Sequence, residues 1–267
     1  MTERVPRSLS RTRAVAEVIG VFILALLAVA AVTRSPAGEW QRRTTPRPFL
    51  EYLAMGAVAL GAMALSRRWW EYGMAGQAGA RQLDAAVKCV AVFAVGKAAL
   101  FFLGPRQAMH SLAEPIVVIG VIAGCAWLLG SGKAPPAVGA LLLIPAGMQL
   151  SGSALVFYPL FLGPAEELLF RGFIQSRLTM AFGRPWRTAG AAWGPGLILA
   201  SVLFALFHVV NLPALFALRW EPLWVLAVPT FAWGAALGYL RERTDGLLAP
   251  ILAHGVPQGI AFAVLGR

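Results

Sequence analysis

The ionisable residues set among apolar ones are where this sequence can do chemistry. Glu166-Glu167 with Arg171, then His208, then His254 fall within or at the end of long apolar runs, and Lys88 and Lys97 lie in another. Such side chains cost about 2.5–3.5 kcal/mol each to insert into a bilayer, so those that persist there are functional candidates. Glu167 precedes Arg171 by one helical turn, the spacing that puts both on one face as a pair able to satisfy itself. Glu166 is rotated about 100° from Glu167, which leaves it to face another helix. Gly163-Pro164 just ahead reads as a break that opens a helix, because proline is favoured in the first helical turn and carboxylates are favoured at that end by the helix dipole.

His208 closes the run from Leu197 to Phe207, with Phe204 one turn before it and Asn211 shortly after. Taken alone, a histidine near a helix end is a dipole-stabilised group. His254 lies inside an apolar helix, with Gln258 one turn later on the same face and Pro257 between them. The remaining histidine, His110, falls in a polar loop. A carboxylate and two histidines brought together can activate water for attack on a peptide bond, the carboxylate as general base and a histidine polarising the developing oxyanion. No nucleophile elbow, aspartate dyad or HExxH helix is present, so serine, aspartic and zinc-helix mechanisms have no residues of their own.

The elements that must position these residues are membrane helices. The 267 residues are 58% hydrophobic and 13% charged, with a mean hydropathy of +0.70, against roughly 25% charged in a soluble domain. Apolar runs near 14–32, 49–65, 83–103, 115–130, 136–160, 164–182, 193–210, 222–240 and 247–265 are continuous rather than alternating, which disfavours a spanning barrel. The expected fold is all-α, a polytopic bundle of about eight or nine transmembrane helices. Pro145 and Pro159 interrupt the fifth run, as one kinked helix or as two pieces. The chain divides into N-terminal transmembrane helices over 1–150 and a catalytic helical core over 151–267, within one integral membrane domain.

The net charge of +11 sits in short links between the runs rather than along one helical face, so it reads as a topology signal and as lipid-headgroup contacts, not as a nucleic-acid footprint. Arg4, Arg7, Arg11 and Arg13 before the first run place the N-terminus in the cytoplasm. Ala28-Val29-Ala30 mimics a signal-peptidase site, but the run is long for a signal core and reads as a retained helix. Loops 66–82, 131–135, 183–192 and 241–246 are then cytoplasmic. The loop at 33–48, with Arg34, Arg42, Arg43 and Arg47, breaks the pattern. Cys89 and Cys125 lie in apolar runs and read as small core residues; Lys88 reads as snorkelling to the headgroups.

Three motifs in order resemble the CPBP family of intramembrane proteases, which includes the type II CAAX prenyl endopeptidases and the bacterial Abi proteins. They are Glu166-Glu167-xxx-Arg171, Phe204-xxx-His208 and His254, the last approached through Phe231, Gly234, Gly238, Thr244, Leu247 and Pro250-Ile251. The resemblance covers roughly residues 155–265. It implies a glutamate-dependent mechanism in which Glu166 and His208 position and activate water, His254 supports the oxyanion, and Glu167 and Arg171 hold the site in shape. Phe204, Asn211 and Gln258 are the remaining supporting residues. Gln258 is a departure, since the family usually has Asn or Asp there; its longer arm alters the reach of the amide. Two His with two Glu are also donors that zinc accepts, but the expectation is a site without metal or other cofactor.

The function expected is an intramembrane endopeptidase acting on a membrane-associated protein or peptide, with removal of a C-terminal peptide or sorting tail as one form. The competing classes are a proton-coupled transporter, in which Glu166, His208 and His254 form a relay, and a non-catalytic scaffold or immunity protein. The expected location is a bacterial inner (plasma) membrane, spanned several times.

Overall fold

The computed structural model describes residues 10–66, 69–74, 79–103, 113–131, 152–210, 214–215 and 219–264. The chain is a helical membrane bundle. In order come α1 (Arg11–Arg34), α2 (Pro36–Thr44), α3 (Phe49–Ser66), a 3-10 turn (Trp69–Tyr72), α4 (Gly79–Leu103) and α5 (Ala113–Ser131). They are followed by α6 (Gly152–Phe182), a hairpin of β1 (Trp186–Thr188) and β2 (Ala191–Trp193), α7 (Pro195–Val209), α8 (Ala227–Thr244) and α9 (Leu248–Val264). Among the described residues α1, α3 and α6 are long and apolar enough to cross a membrane, and shorter apolar helices run over Pro115–Ser131, Pro195–Val209 and Leu248–Ala263. Of the fifth expected run, Pro145 and the stretch through 151 lie outside the described residues.

The expected helix start at Gly163-Pro164 is not there. Helix α6 runs unbroken through both residues, and its hydrogen-bonding widens to π turns at Tyr158–Leu162 and Leu168–Gln175. Pro159 and Pro164 each lack a backbone donor, and π turns absorb such gaps without ending a helix. The fifth and sixth apolar runs therefore meet in one helix across residues 152–182. Gly163 serves contact instead of termination: a Cβ there would lie 3.0 Å from the Ile251 carbonyl oxygen of α9.

Helix α6 is the axis about which the others pack. Alongside it, α3 runs parallel, with Phe49 edge-on to Phe157 and Phe161 and with Gly56 against Ala165. Helix α1 runs the other way, with Phe22 edge-on to Phe170 and Glu17 accepting a 2.7 Å hydrogen bond from Arg177. Helix α7 is also antiparallel, its Phe204 and Phe207 against Phe170. Helix α9 crosses so closely that a Cβ on Gly255 would stand 2.6 Å from the Tyr158 carbonyl oxygen. Helices α4 and α5 close the far side, with Phe93 against Trp233 of α8. Lys88 does not snorkel: it is buried and bridges Asp84 one turn earlier at 2.6 Å. Lys97 lies 4.2 Å from the centroid of the Trp233 ring, and Cys89 and Cys125 are free and buried.

The link at 183–192 is a β-hairpin, which no apolar pattern announces. Its turn is Ala189-Gly190, both at positive φ (50° and 79°), as a two-residue hairpin of the type I′ kind requires. The Tyr239 hydroxyl donates to the Ala189 carbonyl at 2.7 Å and ties the hairpin to α8.

Candidate active site

Glu166, Glu167 and Arg171 are at most 1% exposed. Arg171 donates through Nη1 to Glu167 Oε1 at 2.7 Å and through Nη2 to the Gly234 carbonyl of α8 at 3.0 Å. Its guanidinium also stands 4.5 Å from the centroid of the Phe204 ring of α7. One side chain thus fixes three helices. Gln175, a turn further along α6, repeats the contact by donating to the Gly238 carbonyl at 3.0 Å and to Glu242 at 2.9 Å. Glu167, Arg171 and Gln175 form one ladder at helical spacing, and Gly234, Gly238 and Glu242 form the facing ladder. The α8 positions are glycines where the helices touch: a Cβ on Gly234 would come within 3.3 Å of Ser201 Cα, and one on Gly238 within 2.9 Å of Gln175 Oε1.

His254 comes to this cluster from α9. Its Nδ1–H donates to Glu167 Oε1 at 2.8 Å, which fixes the ring and turns Nε2 toward Glu166. Nε2 stands 3.8 Å from Glu166 Oε2, too far for a direct hydrogen bond. Glu166 Oε2 is buried with no hydrogen-bond partner.

His208 sits at the last turn of α7. Its Nδ1–H donates back to the Phe204 carbonyl at 2.8 Å, so Nε2 keeps its lone pair as an acceptor. The Phe204 ring separates the two histidines, with centroid distances of 4.5 Å to His208 and 6.0 Å to His254. Gln258 lies one turn beyond His254 on α9, with Pro257 inside the same helix. Asn211 and His110 lie outside the described residues.

Reading the sequence missed Tyr52. This residue of α3 packs against the core, close enough to Glu166 for its hydroxyl to interact with the carboxylate. The available signal was a tyrosine inside an otherwise apolar run, preceded by Glu51. Gln175 was missed as well, though it continues the spacing of Glu167 and Arg171.

The arrangement offers a base with a free oxygen, a histidine oriented by a second carboxylate, and a second histidine with an open ring nitrogen. Among the described residues no group of three or more His, Cys, Asp or Glu side chains is arranged to hold a metal ion.

Residues 149–259 match the family model described as type II CAAX prenyl endopeptidase Rce1-like. The match spans all three motifs and is of the CAAX-protease type that they resemble. No curated protein and no solved structure matches the chain.

Proposed function

We propose that this protein is an intramembrane endopeptidase that hydrolyses a peptide bond of a membrane-associated protein with water activated by Glu166. The observation that carries the reading is the unpartnered Glu166 Oε2, buried 3.8 Å from His254 Nε2; Glu167 Oε2 is unpartnered as well, but Glu167 Oε1 already holds Arg171 and His254, a pairing that Glu166 lacks. A buried carboxylate oxygen without a partner costs more than a structural role returns.

Glu166 Oε2 accepts a proton as the water oxygen bonds to the scissile carbonyl carbon. His208 Nε2 accepts the other hydrogen of that water and holds its orientation. His254, with hydrogen on both ring nitrogens, donates through Nε2 to the oxyanion as charge develops there, and its ring is kept in place by Glu167, which accepts from Nδ1–H. The proton held by Glu166 then passes to the amide nitrogen as the C–N bond breaks, which releases an amine and a carboxylic acid and restores the base. No step calls on a cofactor. The family match supports a CAAX-type endopeptidase; the glutamate mechanism rests on the geometry above.

The test is substrate accumulation in cells that carry wild-type protein or Glu166→Ala, His208→Ala or His254→Ala, with membrane levels of each variant followed by immunoblot. The expected result is uncleaved substrate in all three variants at normal protein levels. Unchanged processing in all three would remove the assignment and turn attention to transport.

A further inference from the structure

The hairpin between α6 and α7 holds none of the candidate catalytic residues, yet it shapes a site of its own. A groove of about 700 Å³ is lined by Pro185, Trp186, Arg187, Thr188, Trp193 and Ile198. That volume falls within the range of small-molecule sites. Trp186 and Trp193 are cross-strand partners with ring centroids 4.9 Å apart, so the two indoles form one apolar wall. Trp186 is nonetheless 45% exposed. An indole left half open where membrane helices end belongs at the headgroup level, which matches both its apolar ring and its N–H.

The charges around the groove are unbalanced. Arg184 is paired with Glu242, whereas among the described residues no carboxylate pairs with Arg187 or Arg243. Arg187 is exposed and stands opposite Ala192, whose methyl group is too short to cover it. Arg243 lies under the turn, where a Cβ on Gly190 would come within 3.0 Å of its Nε, and that Nε is buried without a hydrogen-bond partner. A guanidinium presents a planar fork of donors that matches a phosphate. Two such cations together disfavour a headgroup that carries a positive charge of its own.

From the groove an apolar track leads into the bilayer. Ile198 lies on the first turn of α7, and Val202 and Leu206 follow it at one-turn spacing, each 39% exposed. The three span about 12 Å at 1.5 Å per residue, so a chain that starts at the hairpin runs along α7 without leaving apolar surface.

We infer that the hairpin groove binds one anionic phospholipid, with its phosphate on Arg187 beside the two tryptophans and one acyl chain along Ile198, Val202 and Leu206. Charge selects this occupant, and the apolar track separates it from a free phosphate, which has nothing to place there. The inference stands apart from the endopeptidase reading, because it uses none of the residues that carry that reading.

The experiment reconstitutes the full-length protein in nanodiscs of phosphatidylcholine with a minor share of phosphatidylglycerol, and native mass spectrometry then counts the lipids that stay bound after release. Wild-type protein is expected to retain phosphatidylglycerol over phosphatidylcholine by about tenfold beyond their ratio in the disc, within what two arginines at a membrane surface support. Arg187→Gln is expected to lose most of that preference, and Trp186→Ala to retain less of both lipids. Arg42→Gln, which removes the same charge from the opposite end of the bundle, is expected to behave as wild type. Retention of the two lipids by wild-type protein in their disc ratio overturns the site. An undiminished preference in Arg187→Gln, or an equal loss in Arg187→Gln and Arg42→Gln, overturns it as well, since the preference would then belong to another surface or to net charge alone. The first comparison is made on wild-type protein, so it does not depend on the folding of any variant.

Discussion

Glu166 and Glu167 are adjacent in the chain and opposite in role, and this separates their expected mutational effects. Glu167 Oε1 is shared by Arg171 Nη1 and His254 Nδ1, a pairing that Glu166 lacks; Oε2 of each is buried without a hydrogen-bond partner. Glu166→Gln keeps shape and removes the base, so activity is expected to fall by about 10²–10⁴-fold, the usual range for a general base. Its thermal unfolding in detergent should match wild type or exceed it, because a buried charge is gone. Arg171→Met does the reverse. It leaves Glu167 buried without its cation and is expected to cost about 3–5 kcal/mol, read as a lower melting temperature; adding Glu167→Gln should recover most of the loss. If Arg171→Met unfolded at the wild-type temperature, the pair would carry none of the stability assigned to it. Tyr52→Phe is expected to lower kcat while leaving KM unchanged, since the hydroxyl addresses the base and not the substrate. The Glu167–Arg171 pair was legible in the sequence because both partners lie on one helix at a spacing that physics fixes. The neighbours of Glu166 were not, because Tyr52 and His254 arrive from helices far away in the chain, and helical periodicity carries no information on which helices meet.

At the scale of the element, α6 is where sequence and structure part most usefully. Gly163-Pro164 carries every local sign of a helix start, and it lies in the middle of a continuous helix. The local rule concerns a proline N–H that is missing; π turns on both sides make that loss tolerable, and tight packing against α9 makes the glycine necessary. The same packing logic governs α8. Gly234 gives Arg171 a carbonyl to hold and lets α8 touch α7 at Ser201 and Phe204. Gly234→Val is therefore expected to push α8 outward, cost about 1–3 kcal/mol as an overpacked contact, and weaken activity through Arg171. Ala in the same place should do so less. A Val variant with wild-type unfolding and full turnover would mean that the helix contact is looser than its distances. The arginines that break the charge pattern of loop 33–48 also find reasons at this scale. Arg42 donates to the Thr33 carbonyl, Arg43 pairs with Glu39, and Arg47 reaches into the bundle to Tyr158. Their presence serves contacts, which a rule about topology alone does not anticipate.

For the molecule as a whole, the contacts sort the helix ends onto two faces. Arg11 lies over Phe182, Arg177 reaches Glu17, Arg241 reaches the Glu71 carbonyl, and Tyr239 holds the hairpin, so the start of α1, the end of α3, the end of α6 and the end of α8 share one face. The end of α1, with α2 and the start of α3, lies at the other. The apolar runs made this alternation legible without showing which helices pack together, since hydropathy records the solvent of a helix and not its neighbours. The hairpin face gathers Arg11, Arg13, Arg177, Arg184, Arg187, Arg241 and Arg243, and the positive-inside rule predicts that it faces the cytoplasm. The arginines of the opposite face are fewer, and Arg42, Arg43 and Arg47 among them are engaged in the contacts above. Single cysteines placed at Thr188 in the hairpin and at Glu39 in α2, both exposed, test this directly, since Cys89 and Cys125 are buried. With a membrane-impermeant maleimide on intact cells, Glu39→Cys is expected to label and Thr188→Cys to label only after permeabilisation. The reverse pattern would put the hairpin outside and the end of the bundle that carries α2 in the cytoplasm, against the positive-inside rule.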